Sequence, residues 1–321
     1  MYRIGIDLGG TNIAAGLVNE DFEILVKDSL PTQATRPPEQ IVDDIALLCR
    51  RVCDAAGVSA ADIEAVGIAS PGVANHDSGV VEYANNLPFR HFPIAALLCE
   101  RFPAKRVSVE NDANAAAWGE AVAGAARGTK NSVMITLGTG VGGGIIIDRK
   151  VYSGSNFAGA ELGHIVIQHG GRKCSCGRRG CWEAYSSATA MIRMTEEKIA
   201  ECAASGRETL MTAMVAERGR VTGRTACDAM RQGDAAAREV YDEYINYLAC
   251  GLTNIVNIFQ PQVISLGGGI SGEGQSLIDA VSPLVHAEQY GSGIVELADI
   301  RIAKLGNDAG IIGAAFLGFD Q

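Results

Sequence analysis

Three features of the sequence predict an α/β fold built in two related halves. The first third alternates strand-like and helix-like segments in the order βββαβαβα. An apolar strand, a glycine turn and a second apolar strand open the chain at residues 4–19 (IGIDLGGTNIAAGLVN), and similar text returns at residues 133–148 (VMITLGTGVGGGIIID). Glycine is abundant, 39 of 321 residues, as suits tight turns and close backbone approaches. Alternation of this kind gives mixed sheets with helices packed on them, and the repeated opening points to duplication.

Taken in order, RIGID, AAGLV and EILVKDS read as three strands joined by tight turns. PEQIVDDIALLCRRVCDAAG then places Ile41, Ile45, Leu48 and Val52 at helical spacing, with Pro37 and Pro38 ahead and Gly57 closing it. EAVGIAS is a short buried strand, FPIAALLCERF a helix, and RVSVEN a strand that empties into an Ala-rich helix. Residues 191–260 are mostly helical and carry no recognisable chemistry. VISLGGGIS returns to a strand ending in glycines, followed by a strand, IRIAKL, and a small-residue helix, AGIIGAAFLGF. The expected division is a smaller domain of residues 1–116 plus 306–321 and a larger one of residues 117–305.

Composition narrows the function. A chain 47% hydrophobic and 20% charged is ordinary for a soluble globular protein. Its net charge of −10 argues against nucleic acid as a partner, because phosphate neutralisation needs a basic surface. No run approaches the roughly 18 apolar residues of a membrane span. The opening MYRIGID reads directly as a strand, so neither a signal peptide nor an added DNA-binding domain is expected. Nine cysteines, an odd number, fit free thiols and a metal site in the cytoplasm better than a disulfide framework.

Glycine clusters fall at three strand ends: Gly9-Gly10-Thr11, Gly138-Thr139-Gly140 and Gly267-Gly268-Gly269. Glycine lets backbone N–H groups converge on an anion, and threonine adds a hydroxyl donor. Each cluster alone is weak evidence, because hairpin turns also favour glycine. The Walker pattern is absent. GTGVGG at residues 138–143 satisfies GxGxxG, but a strand follows it where the dinucleotide fingerprint requires a helix. The reading that remains is a nucleoside triphosphate lying across two hairpins.

The most specific segment is ELGHIVIQHGGRKCSCGRRGCWE, residues 161–183. Cys174, Cys176 and Cys181 lie in CxCGxxGC, with Gly177 and Gly180 permitting inward turns. With a histidine, His164 or His169, they complete a tetrahedral zinc shell of structural type. The other six cysteines read as small core hydrophobes. Glu161 and Glu183 flank the knot. Either alone would be read as solvated surface, but together they can accept hydrogen bonds from a polyol.

SVENDANAAAWGE, residues 108–120, raises a further question, because Asn111 and Asp112 stand where a strand meets a helix. Capping explains such an Asp, which accepts free N–H bonds and is favoured in ionised form by the helix dipole. A carboxylate held beside a ligand explains it equally.

Together DLGGTN (7–12), SPG (70–72), ENDANAAAWGE (110–120), GTGVGGG (138–144), GAELGH (159–164), CSCGRRGCWE (174–183) and LGGGIS (266–271) resemble, in order, the motifs of the ROK family of repressors and sugar kinases. The resemblance implies two ribonuclease-H-like domains of actin/hexokinase type around a central cleft, with ATP and a hexose meeting between them. It implies Asp112 as catalytic base, with Asn111, Glu161, His164 and Glu183 as sugar ligands and Gly72 and Asn85 as further sugar contacts. Gly9, Gly10, Thr11, Asn12, Gly138, Thr139, Gly140, Gly268 and Gly269 match ATP-binding positions, and Asp7 lies where Mg²⁺ is held through water. His164, Cys174, Cys176 and Cys181 would bind structural Zn²⁺. Among family members the motif text is most like the glucokinases, so phosphorylation of glucose at its 6-hydroxyl is expected, ahead of N-acetylmannosamine, N-acetylglucosamine, fructose or allose. A homodimer or homotetramer is common among relatives. A sugar-sensing repressor is the contrasting class. The sequence departs from the family at Asn86-Leu87-Pro88-Phe89-Arg90, where many relatives read Asn-Leu-Pro-Gly-Trp, and at Asn12, where Lys is common.

Overall fold

The computed structural model describes residues 1–318. Strands β1 (Tyr2–Leu8), β2 (Asn12–Val18) and β3 (Ile24–Pro31) follow one another, then helix α1 (Pro38–Ala56) and strand β4 (Ile63–Ser70). Three short strands, β5 (Val73–Asn75), β6 (Val80–Tyr83) and β7 (Arg90–Phe92), precede α2 (Ile94–Arg101), β8 (Val107–Asn111) and α3 (Asp112–Val122). The second half holds β9 (Ser132–Leu137), β10 (Val141–Ile147) and β11 (Lys150–Tyr152). Helices α4 (Glu183–Ser186), α5 (Ala188–Ser205), α6 (Leu210–Arg218), α7 (Thr225–Arg231) and α8 (Ala235–Phe259) come next. The chain closes with β12 (Val263–Gly267), α9 (Gln275–Glu288), β13 (Asp299–Ile302) and α10 (Ala309–Ala315).

The two related halves suggested by the glycine openings are visible in the sheets. One has the order β3-β2-β1-β4-β8 and the other β11-β10-β9-β12-β13, the same permutation of sequential strands. In the first, β1–β2 and β2–β3 are antiparallel while β1–β4 and β4–β8 are parallel. In the second, β10–β11 is antiparallel and β12–β13 parallel, in matching places. The small third sheet, β5-β6-β7, was not foreseen from the sequence; its strands are three or four residues long, too short for alternation to register.

Two compact units result: residues 1–134 with 143–160 and the chain from Ala303 onward, and residues 135–142 with 161–302. They are drawn differently from the division expected at residues 116 and 306, because α3 packs within the first unit against the returning α10.

In the first unit α1 begins with proline at its first helical position and stops at Gly57 in the left-handed region, φ 66°. Its Ile41, Ile45, Leu48 and Val52 are fully buried in the main core with Ile4, Ile6 and Leu17, each such side chain contributing roughly 1.5–3 kcal/mol. The other sheet face is made for close approach. A Cβ on Gly5 or Gly67 would clash with the carbonyl oxygens of Ile311 and Ala314, and one on Gly313 with that of Ala115. Glycine at these positions lets α10 lie directly on β1, β4 and α3. In the second unit the 25-residue α8 buries Tyr244, Leu248 and Leu252 on one stripe, and its Gly251 makes room for the indole of Trp182.

Candidate active site

Ligands of open α/β sheets collect at the carboxyl ends of parallel strands. In the first unit the register brings three such ends together, Asp7 pairing with Ala69 and Ser70 with Asn111. Burial raises the pKa of Asp7 above the usual carboxylate value, opposed by the positive charge of Lys27. Gly310 lies beside it, at a distance where a Cβ would make ordinary contact, 3.5 Å, with the Asp7 carboxyl carbon. The turn after β1 is closed by the Gly9 N–H donating to the Asn12 carbonyl at 2.9 Å. Thr32 braces it, its hydroxyl donating to the Gly9 carbonyl at 2.6 Å and its N–H to that of Thr11 at 2.9 Å. Thr11 and Asn12 are exposed at the tip, and Gly10 lies against Asn86.

The Asn111-Asp112 pair divides its labour at the start of α3, with Asn111 as the N-cap and Asp112 accepting one backbone N–H beside it. Asn111 is the N-cap of α3; its Oδ1 accepts from the N–H groups of Ala113 and Asn114 at 2.9 and 3.2 Å, and its Nδ2 donates to the Gly72 carbonyl at 3.0 Å. Asp112 is the first helical residue and is exposed, with Oδ1 accepting from the Ala113 N–H at 2.8 Å. Gly72 has φ 88°, and a Cβ would strike the carbonyl of Tyr83. Asn85 is exposed and accepts from the Tyr83 hydroxyl.

Beneath this turn lies a network that the sequence did not disclose. Glu110 is 2% exposed. Its carboxylate accepts from the Asn111 N–H at 2.9 Å and the Asn114 amide at 3.0 Å, and pairs with His76 Nδ1 at 2.9 Å. The hydrogen bond to Glu110 raises the His76 pKa against the opposing effect of partial burial. Read along the chain, Glu110 looks like a surface acid; only the sheet register shows that it points inward.

In the second unit two glycine clusters meet. A Cβ on Gly268, φ 85°, would lie 2.6 Å from the Leu137 carbonyl oxygen, so the end of β12 abuts the residue before Gly138. The turn of residues 138–140 is held from behind by α5, where the Ala188 N–H donates to the Gly138 carbonyl and the Thr189 hydroxyl to that of Thr139, both at 2.8 Å. Gly269 opens the 3₁₀ turn after β12.

The knot assembles as its spacing implies. One donor atom each from His164, Cys174, Cys176 and Cys181 lies within 4.8 Å of every other. His164 is therefore the fourth member of the cluster, while His169 is exposed and outside it. The Cys176 and Cys181 sulfurs are 3.7 Å apart, as are the Cys174 sulfur and His164 Nδ1. A tetrahedral Zn²⁺ with ordinary bond lengths needs edges of about 3.6–3.8 Å, which these two pairs match, and three thiols with one imidazole are a donor set that suits the ion. The Arg178 N–H lowers the Cys176 pKa, whereas burial pushes Cys181 up to about 12.

Glu183, at the start of α4, ties the knot to the glycine turn. Its Oε2 accepts from the Val141 N–H at 3.1 Å and its Oε1 from the Ser175 hydroxyl at 3.2 Å, with the Cys174 sulfur 3.6 Å away. A Cβ on Gly140 would clash with Oε2, and one on Gly163 with the Val141 carbonyl. Glu161, next to the 3₁₀ turn Leu162–His164, is exposed. A cavity of about 370 Å³ opens here, lined among others by Thr139, Gly140, Ser175, Glu183, Lys173 and Arg193, which set hydroxyl, carboxylate and cationic groups into a wall that is otherwise largely apolar.

Twin sheets of this topology, each with a glycine turn after its first strand, define a two-domain protein of the hexokinase type. The chain belongs to the ROK family, whose sequence pattern matches residues 3–320. It is 38% identical to a glucokinase of Streptomyces coelicolor over 98% of this chain and 96% of that protein. A crystal structure of a ROK family glucokinase from Streptomyces griseus, in complex with glucose and AMPPNP, is 36% identical and covers 99% of both chains with a TM-score of 0.77. A ROK hexokinase from Thermus thermophilus is 33% identical, with a TM-score of 0.79 over 98% of this chain and 97% of that one. Among the described residues no helix is long and apolar enough to cross a membrane.

Proposed function

We propose that this chain is a glucokinase, transferring the γ-phosphoryl group of ATP to the 6-hydroxyl of glucose. The observation that carries the reading is the division of labour at the start of α3. Asn111 takes the helix cap, and Asp112 is left exposed at the mouth of the strand ends. The similar Streptomyces griseus protein, a glucokinase, is described as a complex with glucose and AMPPNP.

Asp112 accepts the hydrogen bond of the 6-hydroxyl, aims its oxygen in line with the γ-phosphorus and takes the proton. A carboxylate is a weak base, but phosphoryl transfer passes through a loose transition state and depends chiefly on positioning. The family resemblance assigns the other hydroxyls to Glu161, Glu183 and His164, and to Asn111, Gly72 and Asn85. Each buried hydroxyl left unpaired would cost about 1–3 kcal/mol, so such a set selects as well as binds. The turns at residues 9–12 and 138–140 hold phosphate oxygens, and Gly268 and Gly269 flank the nucleoside. Asp7 would hold Mg²⁺, which would supply charge neutralisation on the phosphates. His164, Cys174, Cys176 and Cys181 would hold Zn²⁺, which would supply a structural staple.

A coupled assay of ATP consumption over glucose, mannose, fructose, allose, N-acetylglucosamine and N-acetylmannosamine tests the reading. Glucose is expected to give the highest kcat/KM. ATP consumption with none of these sugars, or a rate for another hexose tenfold above that for glucose, would overturn it.

A further inference from the structure

The departure at residues 86–90, where the family's Gly-Trp is replaced by Phe89-Arg90, has a structural consequence. Arg90 lies directly across the β6–β7 ladder from Tyr83. Its guanidinium carbon is 4.0 Å from the centre of the Tyr83 ring, well inside cation–π range. The same guanidinium, through Nη1, donates to the carbonyls of Ala84 and Phe89, both at 2.8 Å, so one nitrogen ties the two ends of the loop together. The loop has buried anchors. Leu87 is 5% exposed and Phe89 fully buried, with Phe89 stacked on Phe92 at 4.7 Å and an interplanar angle of 5°. Immediately before those anchors the exposed tip carries Asn85 and Asn86. The Tyr83 hydroxyl donates to Asn85 Oδ1, which leaves the Asn85 amide nitrogen as the group offered outward.

This clamped tip sits among the proposed substrate contacts of its own unit. The Tyr83 carbonyl and Ala84 Cα press against Gly72, whose carbonyl holds Asn111. Asn86 Cβ would be 3.0 Å from a Cβ on Gly10, so the loop also abuts the first glycine turn. We propose that Arg90 is a specificity-determining positioning residue. By stacking on Tyr83 and locking residues 84–89, it fixes the Asn85 amide as a donor to one ring hydroxyl of the hexose, and so sets discrimination between epimers rather than turnover. The inference rests on the glucokinase reading and on Asn85 as a sugar contact.

The experiment compares Arg90→Met, Arg90→Lys, Tyr83→Phe and Asn85→Ala in the full chain, measuring kcat and KM for glucose and mannose together with melting temperature. Tyr83→Phe keeps the stack but loses the hydroxyl to Asn85, so it separates orientation of the amide from loop stability. The expected result is a rise of about tenfold in KM for glucose in Arg90→Met, with kcat changed less than threefold and a similar fall in the glucose-to-mannose ratio of kcat/KM. Arg90→Lys should recover part of that ratio. Tyr83→Phe should lower it while leaving melting unchanged, and Asn85→Ala should lower it at least as far. A normal ratio in both Arg90→Met and Tyr83→Phe, against a lowered one in Asn85→Ala, overturns the role of Arg90. A KM for glucose within twofold of the parent in Asn85→Ala overturns the sugar contact on which it rests. Failure of the glucokinase reading is distinct, since the parent chain itself would then not phosphorylate glucose.

Discussion

Gly140→Ala isolates the joint between the knot and the glycine turn. Gly140 is not in the left-handed region, so alanine is permitted by the backbone and the cost is steric. The new methyl would occupy the place of Glu183 Oε2, the atom that accepts from the Val141 N–H at 3.1 Å. The carboxylate must swing away, and a hydrogen bond to a charged group is lost. Such bonds contribute about 1.5–3 kcal/mol, so kcat/KM should fall on the order of 10- to 150-fold. The four knot donors are untouched, and zinc content should therefore stay at the parent value. Steady-state kinetics with glucose and ATP varied in turn, with metal analysis of the same samples, read both quantities. A kcat/KM within threefold of the parent, with zinc retained, would refute the coupling between Glu183 and the turn.

Three further outcomes follow from the packing and charge of the chain. Cys181→Ser should reduce bound zinc from about one ion per chain to near none and lower the melting temperature, since a structural site contributes folding energy; metal analysis and calorimetry check this. Glu120, fully buried, accepts from the N–H groups of Ala125, Lys304 and Leu305 at 2.6, 3.1 and 2.8 Å. Glu120→Ala should cost about 2–4 kcal/mol in urea unfolding, because it strands those donors. His76 has its pKa raised in the folded state by Glu110. Its contribution is thus fully present below the unfolded value of about 6.5 and is lost as pH rises through the folded value. The stability gap between parent and His76→Ala should narrow from pH 5.5 to 8.5 in urea titrations; a widening gap would contradict the assignment.

Much of this molecule was legible in residues whose chemistry is local. Pro38 and Gly57 bracket α1 because each acts on its own backbone. The knot is readable because four ligands within eighteen residues already limit its geometry, and the competition between His164 and His169 needed only coordinates to resolve. The residues that were not legible act across the sequence. Glu110, just before α3, and Glu120, within it, read as solvated surface, and the partners that fix them inward include His76, Lys304 and Leu305, far along the chain. Asn111 and Asp112 could be exchanged in any sequence argument about capping; the dihedrals of one residue, φ −60° and ψ 145° at Asn111, decide it. Arg90 stood out as a departure from family text, but its meaning required the β6–β7 register that sets it opposite Tyr83.

The most direct measurement of the central claim is single-turnover formation of glucose 6-phosphate by Asp112→Asn, paired with calorimetric titration of glucose. Asparagine preserves size and hydrogen bonding but cannot take the proton, and general-base contributions run to about 10²–10⁴-fold. A fall of at least about a hundredfold in rate, with glucose affinity held within about threefold, is the predicted result. A rate within fivefold of the parent would contradict Asp112 as the group that aims and deprotonates the sugar.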